Sequence, residues 1–360
     1  MARTDNLTNF LTDVSTAIKT KKGDNTPIKA SNFDTEIANL PSGGGDISDY
    51  FNSERTVNTT SAVTSGHWIY LVKKLPPITA IPTQCASFFT QYNGEELDLT
   101  RVPNTIEITQ ASNMFNGCKF KKLDLSNLNF NKLINGYAMF SGCTNLEELN
   151  LGNNTFSLAQ NMKQMFQANY LLKNVPIKNF NYSSVTALSQ FLYDCRVMEN
   201  DIEINAPICE DFGSAFYQCR KVKNIKVSSN VVKSIYGMCT GCSELETLNM
   251  GEMNLSGITA SSSSYSINNF LQNCPALKNL TFGTGFGEGF SSTLNANYVQ
   301  AKINLSNCSS LTKESVLDVF NKVVDLTGKN TQQIALPSNV KALLADEEIA
   351  IATNKNWTVA

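Results

Sequence analysis

Hydrophobic and polar positions along this chain follow two superimposed rhythms. The longer one is an internal repeat, visible in "NMFNGCKFKKLDL", "AMFSGCTNLEELNL", "QMFQANYLLKNVPI", "QFLYDCRVMENDIEI", "SAFYQCRKVKNIKV", "GMCTGCSELETLNM" and "NFLQNCPALKNLTF". Each copy opens on an apolar pair, passes a small or polar residue and usually a cysteine, and closes on an apolar-x-apolar dyad. The cysteine position falls at Cys118, Cys143, Asn169, Cys195, Cys219, Cys242 and Cys274. An earlier copy puts Tyr92 there and a last partial copy puts Cys308 there. The step is about 23 to 26 residues, lengthening to about 32 to 34 at the end, which is a solenoid-like period.

The shorter rhythm lies inside each copy. Dyads such as Leu123-Asp124-Leu125, Leu149-Asn150-Leu151, Ile225-Lys226-Val227 and Leu280-Thr281-Phe282 alternate with period two, the signature of a strand with one buried face. One strand per copy, stacked, predicts a parallel sheet. The Met-Phe and Phe-Leu pairs belong to the turn before each strand and fill the space between turns. A single copy cannot bury its apolar face, so its neighbours must do so. The recurrent cysteine reads as a small apolar residue at a tight inward corner. The fold class expected is an α/β repeat solenoid over 85–311.

The two ends follow other patterns. Leu7, Phe10, Leu11, Val14 and Ile18 recur at helical spacing, and Phe33, Ile37 and Leu40 mark a second helix after "KTKKGDNTP". "PSGGG" then reads as a flexible linker. The resulting module, 1–45, is too small to be stable alone and is expected to oligomerise or dock. Residues 46–84 read as a strand-rich cap anchored by Trp68, Ile69, Leu71 and Val72. Residues 312–360 read as a C-terminal cap. It opens with a helix capped by Thr312 and carrying Val316, Leu317, Phe320, Val323 and Val324, and a second helix follows around 340–352.

Composition narrows the function. The 360 residues include 29 basic and 31 acidic ones, for a net charge of -2. With no block of like charge, neither nucleic acid nor an anionic membrane is an expected partner. The N-terminus lacks the apolar core of a secretory signal, and no window is long and apolar enough for a membrane span. Synthesis in the cytosol is therefore expected, and with it free thiols for the ten cysteines. A single histidine, His67, leaves little room for histidine-based catalysis or metal binding.

Four features bear on chemistry. Cys239 and Cys242 form a Cys-x-x-Cys, but Cys242 is the repeat cysteine and Cys239 holds the place of Phe115, Phe140 and Phe166. No second ligand pair accompanies them, so no metal or other cofactor is expected. The paired acids at Glu95-Glu96, Glu147-Glu148 and Asp346–Glu348 read as solvated surface, because neighbours in a strand diverge. "GTGFGEG", at 283–289, lacks the strand–loop–helix setting of a phosphate loop and reads as a flexible insertion. The remaining candidate is the outward sheet face: Lys122, Asp124, Glu148, Asn150, Asp201, Glu203, Asn224, Lys226, Asn249, Asn279 and Thr281.

The repeat resembles the BspA-like leucine-rich repeats, with units of the form "MFxxCxxLxxLxL". The N-terminal "NLTNFLTDVSTAIKTKKGDNTPIKASNFDTEIANLPSGGG" resembles the start of tail, baseplate and appendage proteins of phages that infect Gram-positive bacteria. The ending "LADEEIAIATNKNWTVA" is similar to that of repeat proteins from such phages. These resemblances imply a non-enzymatic virion protein, assembled in the host cytoplasm. Its N-terminal helices (Leu7, Phe10, Leu11, Val14, Ile18, Phe33 and Ile37) would anchor it to other virion proteins as a homo-oligomer, a trimer by similarity to fibres. Its repeats would contact a host-surface glycan or protein. A capsid or neck decoration protein is the alternative, and a cell-wall hydrolase the third possibility.

Overall fold

The computed structural model describes residues 81–92, 94, 97–259, 267, 269–290 and 301–360. The expected helices of 1–45, most of the expected cap at 46–84, and the Glu95-Glu96 pair lie outside the described residues, as does His67.

Among the described residues sheets dominate and every strand pairing is parallel. Strands β1 (Lys122–Asp124) and β2 (Glu148–Asn150) pair with each other. Strands β3 (Ile202–Asn205), β4 (Asn224–Ser229), β5 (Thr247–Met253) and β6 (Asn279–Thr281) form a four-stranded sheet in sequence order. The third sheet holds β7 (Lys302–Asn304), β8 (Gln332–Ala335) and β9 (Trp357–Val359). Consecutive strands pairing in parallel require a crossover between them, and here the repeated turn supplies it. The inward members of the dyads, Leu123, Ile202, Ile204, Ile225, Val227, Leu248, Met250 and Leu280, are all buried.

A second ladder runs alongside. Parallel bridges join Gln84 to Gln110, Asn135, Asn161, Ala187, Asp211 and Ser234 in succession. After each bridge the chain makes a tight turn that donates alternate amides to the next turn. Phe115 N donates to Met139 O at 2.8 Å, Phe140 N to Met165 O at 2.9 Å, and Phe166 N to Phe191 O at 2.9 Å. The first residues of the turn, including Met114, Phe115, Met139, Phe140, Met165 and Phe166, are fully buried. Phe89, Phe115, Phe140 and Phe166 stack nearly parallel, with ring centroids 5.3 to 5.5 Å apart.

Two backbone positions are left-handed in each turn from that of Cys118 to that of Cys274: five residues before the cysteine position and one before it. The pairs run Asn113 and Gly117, Ala138 and Gly142, Gln164 and Ala168, Gln190 and Asp194, Ser214 and Gln218, Gly237 and Gly241, Asn269 and Asn273, with φ from 50° to 76°. Few of these residues are glycine. L-residues are disfavoured in this region, so the stacked amides of neighbouring turns hold them there.

The expected strand of the copy "QMFQANYLLKNVPI" is absent. Pro176 stands at the outward dyad position, and a proline has no N–H to give to a ladder. The segment instead forms a 3-10 turn at Ile177–Asn179, and Val175 N finds the side chain of Asn200 at 2.9 Å. The strand ladder therefore stops at β2 and resumes at β3, while the bridge from Asn161 to Ala187 continues past the gap.

At the C-terminal end, helix α1 (Lys313–Lys322) starts where expected, with Thr312 Oγ1 accepting from Ser315 N at 3.3 Å. The single helix expected around 340–352 is two, α2 (Ser338–Lys341) and α3 (Asp346–Thr353). Glu348 imposes the new start by accepting from Ala345 N at 2.8 Å, an N-terminal arrangement that ties the carboxylate to its own helix. Lys355 Nζ closes the far end of α1, donating to the carbonyls of Phe320, Asn321 and Val323 at 2.9 to 3.0 Å. The "GTGFGEG" segment is not a loose insertion. Phe286 and Phe290 are buried against Trp357, and a Cβ at Gly287 would lie 2.7 Å from Val324 Cγ2. The two apolar rings supply the burial that a glycine-rich reading overlooks.

Candidate interaction surface

Parallel pairing lines equivalent outward residues up across the strands, with a register shift in the β4–β5 ladder only after Lys226. Asp124 faces Asn150, Glu203 faces Lys226, Lys226 faces Asn249, and Asn249 faces Thr281. Of the residues expected on this face, Lys122, Asp124, Glu148, Asn150, Asp201, Glu203, Asn224, Lys226 and Asn279 are exposed, Asn249 and Thr281 half-buried. The gap at Pro176 divides these residues into two groups.

Most of these side chains are engaged with one another. Lys122 Nζ lies 2.7 Å from Glu148 Oε1, and Lys226 Nζ 3.4 Å from Glu203 Oε1. Asn224 Nδ2 donates to Asp201 Oδ1 at 2.9 Å. Glu148 holds Lys122 above the usual ammonium range through a hydrogen bond and its charge. Asp124, Asn150 and Asn249 turn back on their own chain instead. Asp124 Oδ1 accepts from the amide and hydroxyl of Ser126, Asn150 Oδ1 from Gly152 N, and Asn249 Oδ1 from Gly251 N, at 2.6 to 3.0 Å. At Asp124 and Asn150 these side-chain turns end the strand, whereas the Asn249 turn falls inside β5, where the register with β4 shifts. The Ser126 bonds hold the Asp124 carboxyl below its usual range. Glu147 and Glu148 are both exposed, and Glu348 of the acidic run pairs with Lys313 at 2.7 Å. The anchor residues Leu7, Phe10, Leu11, Val14, Ile18, Phe33 and Ile37 lie outside the described residues.

The cysteines form a row of their own. Each repeat thiol donates to the carbonyl of the residue three before the equivalent position in the preceding turn. Cys118 reaches Phe89 O at 2.9 Å, Cys143 reaches Phe115 O at 3.0 Å, Cys195 reaches Phe166 O at 3.0 Å, and Cys219 reaches Leu192 O at 3.1 Å. Cys242 reaches Phe216 O and Cys274 reaches Cys239 O, both at 3.0 Å, and Cys308 reaches Leu271 O at 3.6 Å. Asn169 does the same with an amide, Nδ2 to Phe140 O at 3.0 Å. The position is more than the small apolar corner its composition suggests; it is also a donor that ties turn to turn. Burial pushes the Cys195 thiol up to about 12 and raises Cys239 well above its ordinary value. The thiolate that metal binding or redox exchange needs is therefore disfavoured at both. Among the described residues, no group of three or more His, Cys, Asp or Glu side chains is placed to hold a metal ion.

Sequence reasoning missed a different cluster. The residue two before the cysteine position is Tyr193 in one turn and Tyr217 in the next, and their rings stack 4.5 Å apart, 5° from parallel. The residue one after it is Tyr170, Arg196 and Arg220 in three consecutive turns. The Arg196 guanidinium lies 4.4 Å over the Tyr170 ring and is held by Asp194 through two bonds, 2.8 and 2.9 Å. Burial raises the Tyr193 hydroxyl above its ordinary value, with Tyr217 and Asp194 adding to it. The signal was present in the aligned copies as tyrosines and arginines at identical repeat positions.

One family model matches this chain. It covers residues 83–205, about a third of the length, and its description is "Mycoplasma protein of unknown function, DUF285". The matched stretch runs from the first bridge to the end of β3, within the repeated turns, and is compatible with the resemblance to BspA-like repeats. No curated protein and no solved structure matches the chain. By its own description the family's function is unknown, so the similarity assigns no role to the chain.

Proposed function

We propose that the protein is a non-catalytic attachment protein of a phage virion, built as one continuous BspA-like leucine-rich-repeat solenoid. In this reading the N-terminal module fixes it to other virion proteins as a homo-oligomer. The repeats project a surface toward a host-cell glycan or protein, at the tail or baseplate. The observation that carries the reading is the unbroken succession of parallel bridges from Gln84 to Ser234, which sets identical outward positions side by side over many turns. Repeat stacks of this kind present extended binding surfaces. The side chains of the sheet face pair with each other or with their own backbone, and catalytic groups would have to converge. The N-terminal resemblance supplies the virion context.

Two experiments test this, one in the phage and one with the purified protein. Deletion of 1–45 is expected to abolish incorporation into virions while the remaining chain keeps a single cooperative urea-unfolding transition. Normal incorporation of the truncated chain refutes the anchoring role. Purified full-length protein is expected to bind host cells and to compete with phage adsorption. Absence of both refutes the attachment role.

A further inference from the structure

The tyrosine–arginine cluster differs from the rest of the polar surface in kind. The sheet face is Lys, Glu, Asp and Asn closed upon itself. The cluster concentrates Tyr and Arg, the residues that carry most binding energy at recognition surfaces. It is also pre-ordered. The Tyr193–Tyr217 stack, the Arg196 guanidinium over Tyr170 and its two bonds to Asp194 fix the side chains before any ligand arrives. Little conformational entropy is left to lose on binding.

Charge singles out Arg220. Arg196 is neutralised by Asp194, and the neighbouring Lys221 is paired with Glu244. Arg220 is exposed, its Nε donates to the neutral Gln218 Oε1 at 2.8 Å, and it joins no ion pair among the described residues. The rest of its planar fork of donors matches a carboxylate. Beside it, the tyrosines offer ring surface with a hydroxyl at the end, an amphipathic rim. Equivalent positions recur from turn to turn at the spacing of neighbouring strands, about 4.8 Å. Such a strip suits a chain of repeating, hydroxyl-rich units better than a single small molecule.

We propose that Tyr170, Tyr193, Tyr217, Arg196 and Arg220 form a binding strip for a carboxylated polysaccharide, with Arg220 taking a carboxylate and the tyrosines lying along the sugar chain. The proposal rests on the attachment reading and narrows its ligand class. The probe is immobilised polygalacturonate, with neutral dextran and polyphosphate as controls, against the full-length protein by biolayer interferometry. Polygalacturonate is expected to bind, more weakly at high salt, while dextran and polyphosphate give no comparable signal. Arg220→Gln and Tyr217→Ala are each expected to weaken binding about tenfold or more, and Lys132→Gln, at an exposed residue outside both the cluster and the sheet face, to leave it unchanged. If Tyr217→Ala fails to fold, as judged by its urea midpoint, exposed Arg220→Gln carries the test. Equal binding to dextran, binding to polyphosphate alone, no binding to polygalacturonate, or an unaffected Arg220→Gln each overturns the proposal. Host-cell binding separates the two readings. Cell binding that survives Arg220→Gln and Tyr217→Ala sinks the strip and leaves the attachment role standing. No cell binding by the unaltered protein sinks the attachment role.

Discussion

Replacing Asn169 by cysteine should stabilise the protein. Asn169 is the amide in a row of thiols, fully buried between the turns of Cys143 and Cys195. Its Nδ2 donates to Phe140 O at 3.0 Å and to Phe166 O at 2.8 Å, but its Oδ1 is buried without a partner among the described residues. A buried acceptor left unmatched costs about 1–3 kcal/mol. A cysteine at the site keeps the bond to Phe140 O, as its neighbours do one turn away. It gives up the second Nδ2 bond, worth about 0.5–1.5 kcal/mol. Phe166 O keeps a donor all the same, because the Cys195 thiol also reaches it at 3.0 Å. The balance favours Asn169→Cys by about 1 kcal/mol. The reciprocal change, Cys195→Asn, introduces a second orphaned oxygen and should destabilise by about 1–3 kcal/mol. Urea unfolding followed by circular dichroism reads both. With a slope of about 1–3 kcal/mol/M, the Asn169→Cys midpoint should rise by a few tenths of a molar unit or more and the Cys195→Asn midpoint should fall, each with an unchanged slope. A lowered midpoint for Asn169→Cys, or a neutral Cys195→Asn, would show that the row does not discriminate donors from acceptors.

Other expectations concern the same turns. Ala168 sits at φ 58°, so Ala168→Gly should raise stability by about 0.5–1 kcal/mol, relief of the left-handed strain exceeding the added chain entropy; a lower urea midpoint refutes this. Burial raises Cys85, Cys195, Cys209 and Cys308 from 9.0 to about 12. Raised thiols give stability that is complete below pH 9 and lost between about 9 and 12, as the unfolded chain releases protons the folded one keeps. Urea midpoints measured from pH 8 to 11 should fall, and a flat profile would contradict the burial. The amides around Pro176, without a strand ladder, should exchange hydrogen faster than those of β2 or β4, which exchange mass spectrometry can read; equal protection would show that the gap is mechanically silent. Lys122→Ala should leave the urea midpoint within error, because exposed ion pairs contribute little; a clear drop would mark the sheet face as structural.

Much of the architecture was legible because it repeats. Aligning the copies placed Cys239 beside Phe115, Phe140 and Phe166, and all four are buried at equivalent positions. Most of the period-two dyads fell on strands, and the one carrying Pro176, which has no N–H for the ladder, did not. Bonds that depend on direction were hidden. A thiol reads as apolar by composition, and only its place under a carbonyl of the preceding turn reveals it as a donor. The left-handed pairs were hidden too, because Ala138, Gln164 and Gln190 carry no glycine signature and owe their conformation to neighbouring turns. On the candidate face, Asp124, Asn150 and Asn249 looked available because alternation gives a direction but not a partner. The spacing to Ser126, Gly152 and Gly251 carried the missing signal, an Asx followed two residues later by Ser or Gly.

The four-residue offset between the paired left-handed positions, repeated from the turn of Cys118 to that of Cys274, makes length a discrete variable. Neighbouring copies are locked by the same amide and thiol contacts, so duplicating or excising a whole copy leaves every junction of the same kind. A gene for such a chain can therefore recombine in units of a copy, lengthening or shortening its reach while the junctions stay alike. A one-residue insertion between those positions would shift a turn against both neighbours at once. Variation within the window should then be confined to substitutions, and variation in length to its outside, where the chain already lengthens between Cys242 and Cys274.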